Sequence, residues 1–181
     1  DDSHVQRLLW CLSSVAERVT SKEFALRTAE LSDPGLLPYA VHIFACRPDV
    51  AAEVQHRAAL LALRLVKSKD MDVPSASNIC SPVADAVLKS PHKGVKKTAA
   101  MVLAELALVR RVPGALEGLM LAAASEIEGA LDAAWMGLAK VVEGIEASDG
   151  PGGWSETVCQ ALVEVAVSQS AFGRPAAARR G

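Results

Sequence analysis

His42 and Cys46 are the residues whose types and spacing come closest to a metal-binding chemistry. They lie four residues apart in a segment predicted to be helical, so both side chains would share one helix face. A zinc site needs three or four ligands, and no further Cys or His has a suitable spacing. We therefore favour a satisfied core histidine and cysteine, and we expect no metal and no cofactor.

Pairs of acidic residues on predicted helix faces are the second candidate chemistry, namely Glu128 with Asp132 and Glu143 with Glu146. Without a partner acid or base in an enclosed cleft, such carboxylates are expected to be solvated. The sequence contains no GxGxxG, GxxxxGK[ST], HExxH or GxSxG motif. The spacing of these residue types indicates no particular Ser/His/Asp set. We therefore expect no enzyme activity and no small-molecule substrate.

Charge is spread unevenly along the chain. Residues 57–111 hold ten Lys/Arg and four Asp/Glu, whereas residues 112–170 hold one Lys and nine Asp/Glu. The net charge of −2 and the aromatic content of 4% lack the basic footprint and stacking side chains of nucleic-acid binders. Nucleic acid is therefore an unfavoured partner for the basic cluster Lys89, Lys93, Lys96 and Lys97. Steering of a charged protein, head-to-tail contact between copies, and two merely solvated surfaces remain as alternatives, and we favour the last.

The four cysteines are far apart and form no CxxC: Cys11, Cys46, Cys80 and Cys159. This usage predicts reduced, buried thiols and a reducing intracellular compartment, either cytoplasm or nucleus. No signal peptide or membrane span is predicted, because charges interrupt every apolar stretch. The missing initiator Met and the final RPAAARRG predict a fragment, whose targeting signals and flanking repeats would lie outside the sequence.

One apolar phrase recurs four times, as HVQRLLWCLSSV from His4, VQHRAALLALRL from Val54, VKKTAAMVLAEL from Val95 and ALDAAWMGLAKV from Ala130. Places are counted from its first residue, which is place 0. Places 4, 8 and 11 carry small or aliphatic residues in every copy and are called the core stripe: Leu8, Leu12, Val15; Ala58, Ala62, Leu65; Ala99, Leu103, Leu106; Ala134, Leu138, Val141. The spacing predicts one helix face, and its return predicts stacked helical repeats. An irregular helical bundle is the alternative.

The elements that would position these residues alternate between shorter and longer helices. Capping boxes are predicted at Thr20/Glu23 and Ser125/Glu128, Ser81-Pro82 predicts a helix start after a loop at 69–78, and Pro113-Gly114 predicts another start. Long helices are predicted near 3–18, 50–68, 94–111 and 126–146. Shorter ones are predicted near 22–32, 36–46, 82–90, 113–124 and 154–168, with a break at 148–153.

The segments GLLPYAVHIF (35–44) and VKKTAAMVLAEL (95–106) resemble the second and third helices of an armadillo repeat. The resemblance is to the armadillo/HEAT superfamily and covers about residues 3–169. It implies a right-handed α-solenoid in which third helices line a groove, with Trp frequent at place 6 and Asn at place 10. The chain's only asparagine is Asn78, so the resemblance does not extend to generic capture of extended peptides.

Places 6, 10 and 13 form a second stripe, called the wall stripe, which we expect to face a partner. Its candidate binding residues are Trp10, Ser14, Leu60, Arg64, Lys67, Met101, Glu105, Met136 and Lys140. Met adapts to irregular surfaces, and Trp and Arg are frequent binding hot spots. Packing of the same residues between neighbouring long helices is the equal alternative.

These observations together predict an all-α fold, a right-handed α-solenoid of about four repeats over residues 1–170, with 171–181 a disordered tail or fragment end. The expected function is protein–protein interaction or scaffolding within a larger protein or complex. A helical-repeat nucleic-acid binder and a non-catalytic helical domain of an enzyme are the alternatives.

Overall fold

The computed structural model describes residues 36–67, 73–145 and 153–172, together with Arg7, Trp10 and Cys11. These residues are all-α, as predicted, and no strand occurs among them. None of the described helices combines the length and the apolar character that a bilayer crossing requires. The helices are α1 (Leu36–Cys46), α2 (Ala52–Lys67), α3 (Val73–Lys89), α4 (Lys93–Arg110), α5 (Pro113–Ala123), α6 (Ala130–Gly144) and α7 (Trp154–Phe172).

The core stripe accounts for the burial of the three long helices α2, α4 and α6. All nine of its described places are buried, and only one of them is more than 1% exposed, Leu65 at 8%. Because residues four and seven apart share a helix face, this spacing alone makes one side of each long helix apolar. The prediction of a buried core stripe is confirmed for these three copies of the phrase.

The helices α1 and α2 are joined by a turn that a buried amide holds in place. Gln55 is 2% exposed, and its Nε2 donates to the carbonyl oxygens of Arg47 at 2.8 Å and Val50 at 3.0 Å. A buried polar side chain with satisfied hydrogen bonds avoids the cost of desolvation without a partner. Gln55 thereby fixes the direction in which α2 leaves the turn.

The predicted start of α3 at Ser81-Pro82 is wrong. The helix begins at Val73, so the predicted loop at 69–78 ends by that residue and Pro82 lies inside the helix. Proline removes one backbone donor and crowds the preceding turn, which usually ends a helix. Here the apolar face on both sides of the proline is buried, with Ile79 4% and Val83 0% exposed, and tertiary packing outweighs the local cost.

The predicted capping box at Ser125 and Glu128 is also wrong. Ser125 Oγ donates to the carbonyl oxygen of Ala122 at 2.7 Å, so this residue closes α5 rather than opening α6. The residue that precedes α6 is Gly129, whose φ of 72° lies in the left-handed region that glycine adopts without strain. The start of α5 at Pro113 is as predicted, and α7 continues to Phe172, beyond the predicted end at 168. The predicted alternation of shorter and longer helices is wrong for α3 and α7, because their 17 and 19 residues exceed the 16 of α2 and the 15 of α6. The name long helices is kept for α2, α4 and α6, which carry the phrase.

Contacts between helices run along two rows. The long helices contact one another in the order α2, α4, α6, and the others in the order α1, α3, α5, α7. Each row is also joined to the other through the pairs α1 with α2, α3 with α4, and α5 with α6. The core therefore lies between two layers of helices.

The long helices run in the same direction. A Cβ added at Gly137 of α6 would lie 2.9 Å from the carbonyl oxygen of Ala100 in α4, and one at Gly144 would lie 2.7 Å from Leu108 Cδ2. The two contacts are seven residues apart in α6 and eight residues apart in α4, in the same order along both, so the two helices are parallel. The same holds for α3 and α5, since Cβ atoms added at Gly114 and Gly118 would approach Cys80 and Ala84, respectively.

Several predicted features lie outside the described residues. They are the helix near 22–32 with its Thr20/Glu23 capping box, most of the first phrase including Leu8, Leu12, Ser14 and Val15, residues 146–152, and residues 173–181.

Candidate functional site

The wall stripe lies on three neighbouring helices and leaves its apolar residues accessible. At place 6, Leu60 of α2 and Met101 of α4 are partly exposed, and Met136 of α6 is 43% exposed. Trp10, at the same place of the first phrase, is 56% exposed. None of these four side chains is buried, so packing between the long helices leaves part of each one accessible to a partner.

Charged residues follow on the same stripe. Arg64 and Lys140 at place 10 are partly exposed, whereas Glu105 at place 10 of α4 is buried, with 8% of its surface exposed. Lys67 Nζ at place 13 of α2 lies 3.7 Å from Glu105 Oε1. This ion pair bridges α2 and α4 across the wall stripe, so it brings the predicted residues Lys67 and Glu105 together. Ser14 lies outside the described residues.

Lys96, a member of the basic cluster, is buried and hydrogen-bonded within the fold. It is 6% exposed, and its Nζ donates to the carbonyl oxygens of Leu88 at 2.9 Å and Glu128 at 3.2 Å. Burial lowers the pKa of Lys96, while the Glu128 carboxylate acts in the opposite sense. The side chain thus caps the last turn of α3 and fixes the segment before α6 instead of presenting its charge to phosphates.

A cavity of about 350 Å³ lies beside Lys96, between the start of α4 and the start of α6. Its lining mixes cations and carboxylates: Ser90, Pro91, Lys93, Lys96, Glu128, Gly129 and Asp132. The two lysines and two acids give this cavity no net preference for anions. It therefore adds nothing to the phosphate-binding alternative.

The favoured interpretation of His42 and Cys46 as a core histidine and cysteine is wrong. Both side chains are exposed. Across the described ranges, no group of three or more His, Cys, Asp or Glu is arranged to hold a metal ion.

The prediction of buried thiols is wrong for three of the four cysteines. Cys11, Cys46 and Cys159 are exposed, and all four are free. Cys80 is buried within α3, where its Sγ lies 3.3 Å from the carbonyl oxygen of Ala76. Burial, reinforced by the nearby Glu117 carboxylate, raises the pKa of Cys80 to about 11. Cys46 and Cys159 lie outside the buried faces of α1 and α7, a signal that counting and spacing of cysteines did not use.

Sequence reasoning missed Trp135, the residue next to Met136. Its side chain is 39% exposed on α6, whereas the corresponding Ala59 of α2 and Ala100 of α4 are fully buried. The signal was available in the aligned phrases, since place 5 reads Ala, Ala and Trp along α2, α4 and α6. Trp135 therefore belongs with the accessible apolar residues of the last long helix.

No protein-family model, curated protein or solved structure matches this chain.

Proposed function

We propose that the chain is a protein-binding segment, an α-solenoid of armadillo/HEAT type that holds a protein partner against the wall stripe and catalyses no reaction. The supporting observation is the accessibility of place 6. Leu60 and Met101 are partly exposed and Met136 is 43% exposed, on helices whose core stripes are buried. Exposed apolar side chains flanked by charged ones are typical of protein–protein interfaces.

The order of helix contacts supports the solenoid arrangement. The helices α2, α4 and α6 contact one another in order, as do α1, α3, α5 and α7, and the contacts of α4 with α6 and of α3 with α5 show that each of these two pairs is parallel. Repeat proteins bury their faces in this way, between neighbouring units. The handedness and the armadillo or HEAT subclass are part of the proposal.

The chemistry of the wall stripe supports a specific partner over a general peptide receptor. Place 10 carries Arg64, Glu105 and Lys140, three different side chains in a position where a backbone-binding ladder would repeat one amide. Charge complementarity of this irregular kind selects partners and orients them during association. The exposed free thiols fit a reducing compartment, in which cysteines stay unpaired.

The proposal is tested by capturing partners on immobilised protein and quantifying them by mass spectrometry. Met136→Asp and Arg64→Glu change the wall stripe at opposite ends of the row. We expect a protein retained by the wild type to be depleted by more than about tenfold on both variants, since hot-spot losses reach that size. Leu121→Asp is the matched control, because Leu121 is 61% exposed on α5, outside the row of long helices.

Circular dichroism and thermal melting of each variant establish that the helices are retained. Equal retention of the same proteins by the wild type and both wall variants would move the binding surface elsewhere. Retention of RNA or DNA alone, lost steeply with added salt, would favour the nucleic-acid alternative.

A further inference from the structure

Places 5, 9 and 12 of the phrase form a third stripe, called the outer stripe, which faces the next long helix of the row. In α4 it consists of Ala100, Ala104 and Ala107, all fully buried. The approach of Gly137 to Ala100 identifies α6 as the helix that covers it. In α2, the outer stripe consists of Ala59, Leu63 and Val66, of which Ala59 and Val66 are fully buried and Leu63 is partly buried.

The outer stripe of α6 has no such cover among the described residues. Trp135 is 39% exposed, Val142 is 49% exposed, and Ala139 between them is exposed. The following helix α7 packs on α5, in the other row. A stripe that is buried by a helix in two repeats is therefore open in the third.

Side-chain size at place 5 shows that the open stripe suits a different kind of neighbour. The contact of α4 with α6 places a glycine, Gly137, directly over the small Ala100. The indole of Trp135 prevents an equally close approach on the outer side of α6. A partner helix must instead present a recess into which the ring fits, and Trp is one of the residues enriched at binding hot spots.

Carboxylates flank the open stripe. Asp132 lies three residues before Trp135 and Glu143 directly follows Val142, so both are on or beside the same face of α6. Asp132 also lines the cavity that contains Lys93 and Lys96, and Lys140 lies beside Ala139. Neither Asp132 nor Glu143 forms a salt bridge within the described residues.

The stretch of sequence that contains α6 is acidic as well. Between residues 112 and 167 the exposed acids Glu117, Glu126 and Glu164 likewise form no salt bridge in the described part of the chain, and Lys140 is the one Lys or Arg in that stretch. Uncompensated charge of one sign attracts a partner of the other sign.

We propose that the outer stripe of α6 docks a cationic amphipathic helix of a partner protein, with Trp135 as its apolar anchor and Asp132 and Glu143 as its acidic rim. The stripe takes a helix because the same places of α2 and α4 do so. The helix is cationic because Asp132 and Glu143, beside the stripe, form no salt bridge within the described residues. Glu143 also occupies place 13 of the wall stripe, whereas Trp135, Val142 and Asp132 lie outside that stripe. The proposal rests on these three residues, so it does not depend on the function proposed above.

Two occupants from this sequence fit less well. Residues 1–20, which contain the first phrase of a second copy, hold three acidic and two basic residues and bring no cationic complement. Residues 173–181 hold three arginines but no Leu, Ile, Val, Met or aromatic residue, so they cannot supply an apolar stripe to cover Trp135 and Val142.

The test uses a fluorescein-labelled synthetic helix with leucines on one stripe and lysines at the other places, titrated with the protein and followed by anisotropy. We expect saturable binding that weakens with salt. Trp135→Ser should weaken it by more than about tenfold, as loss of a buried anchor does. The double variant Asp132→Asn/Glu143→Gln should weaken it at low salt and leave the fold unchanged, which keeps the test valid if Trp135→Ser fails to fold.

Matched controls separate docking from general attraction to an acidic protein. The pair Glu117→Gln/Glu126→Gln removes the same charge elsewhere, and a peptide of equal composition with scattered leucines removes the stripe. The Glu117→Gln/Glu126→Gln protein should bind the amphipathic helix with the affinity of the wild type. The peptide with scattered leucines should bind weakly to the wild type and to every variant. Equal effects of the two charge pairs, or equal affinity for both peptides, would overturn the proposal.

The competing occupants give different results. A wild-type dimer in sedimentation that Trp135→Ser converts to monomer would assign the stripe to a second copy and overturn the proposal. A gain in peptide affinity after deletion of residues 173–181 would assign it to the chain's own C-terminal segment, with the same consequence.

Discussion

The helices α4 and α6 carry the same phrase but occupy different surroundings. Their core stripes are equally buried, whereas their outer stripes are opposites: Ala100 is fully buried and Trp135 is 39% exposed. The core stripe is covered by the helices within and beside each repeat. The outer stripe depends on whether another long helix follows. The same apolar spacing therefore occurs on an outer stripe that another helix covers and on one that stays exposed. The size of the side chain at place 5 distinguishes the two cases.

Exchanging the two place 5 residues gives the largest expected effect. Ala100→Trp inserts an indole where Gly137 already approaches the backbone, and we expect the free energy of unfolding to fall by more than about 3 kcal/mol. Trp135→Ala removes a half-exposed ring that the described helices do not enclose, and should cost about 1 kcal/mol. Urea denaturation followed by circular dichroism measures both. Similar losses for the two variants would mean that the outer stripe of α6 is covered as fully as that of α4.

Gly137→Ala examines the closed contact itself, and its expected effect is smaller. The added Cβ would lie 2.6 Å from Leu119 Cδ2 and 2.9 Å from the Ala100 carbonyl oxygen, and a backbone atom cannot rotate away. We expect a loss of about 2 kcal/mol in denaturant unfolding, in spite of alanine's better helix propensity.

Gly94→Ala is the matched control for Gly137→Ala. A Cβ at Gly94 would lie 3.6 Å from the His56 ring, at ordinary contact distance. Stability should stay the same or rise by up to about 1 kcal/mol, since only the helix propensity changes. A stabilising Gly137→Ala would show that α4 and α6 do not approach each other closely.

Cysteines introduced at place 9 give the most local comparison, with no large change in stability. Ala139→Cys lies on the open outer stripe and Ala104→Cys on the closed one, where Ala104 is fully buried. At about pH 8, iodoacetamide should alkylate the first much faster, because thiolate and access are both required. Peptide mass spectrometry reports each site separately.

The native cysteines calibrate that measurement. Cys159 is exposed and should react quickly, whereas Cys80 is buried with its pKa raised to about 11 and should react only on unfolding. A raised thiol pKa keeps Cys80 protonated in the fold at pH values where an unfolded cysteine begins to ionise. Its contribution to stability is therefore complete below pH 9 and is lost as the pH rises toward 11. Equal alkylation of Ala104→Cys and Ala139→Cys would remove the distinction between the two outer stripes.

Much of the fold could be predicted from the sequence because the phrase repeats its core spacing. The places of Ala99, Leu103 and Leu106 recur in α2 and α6, and all are buried. The start at Pro113 was predictable because proline at a first helical position loses no hydrogen bond. The predicted bounds of α1, α2 and α4 lie within two residues of the observed ones.

The failures came from residues whose local preference and tertiary surroundings disagree. Pro82 resembles a helix start, but the buried residues on either side hold α3 together through it. Serine is a common N-cap residue, but Ser125 donates its hydroxyl to the carbonyl oxygen of Ala122, three residues earlier in the chain. Sequence periodicity predicted that the wall-stripe residues of each helix share one face. The burial of Glu105 and its pairing with Lys67 depend on the distance between α2 and α4, which periodicity does not contain.

The glycine and alanine contact between α4 and α6 has a consequence for the entropy of binding. Gly137 and Ala100 have no side-chain rotamers to restrict, so closing this contact costs no side-chain conformational entropy. Met101 and Met136, exposed on the same two helices, keep several rotatable bonds each. Ordering them against a partner costs roughly 1 kcal/mol per side chain, while the backbone beneath them is already fixed. The entropy lost on association would then come from the adaptable side chains, and the spacing of the helices would stay unchanged.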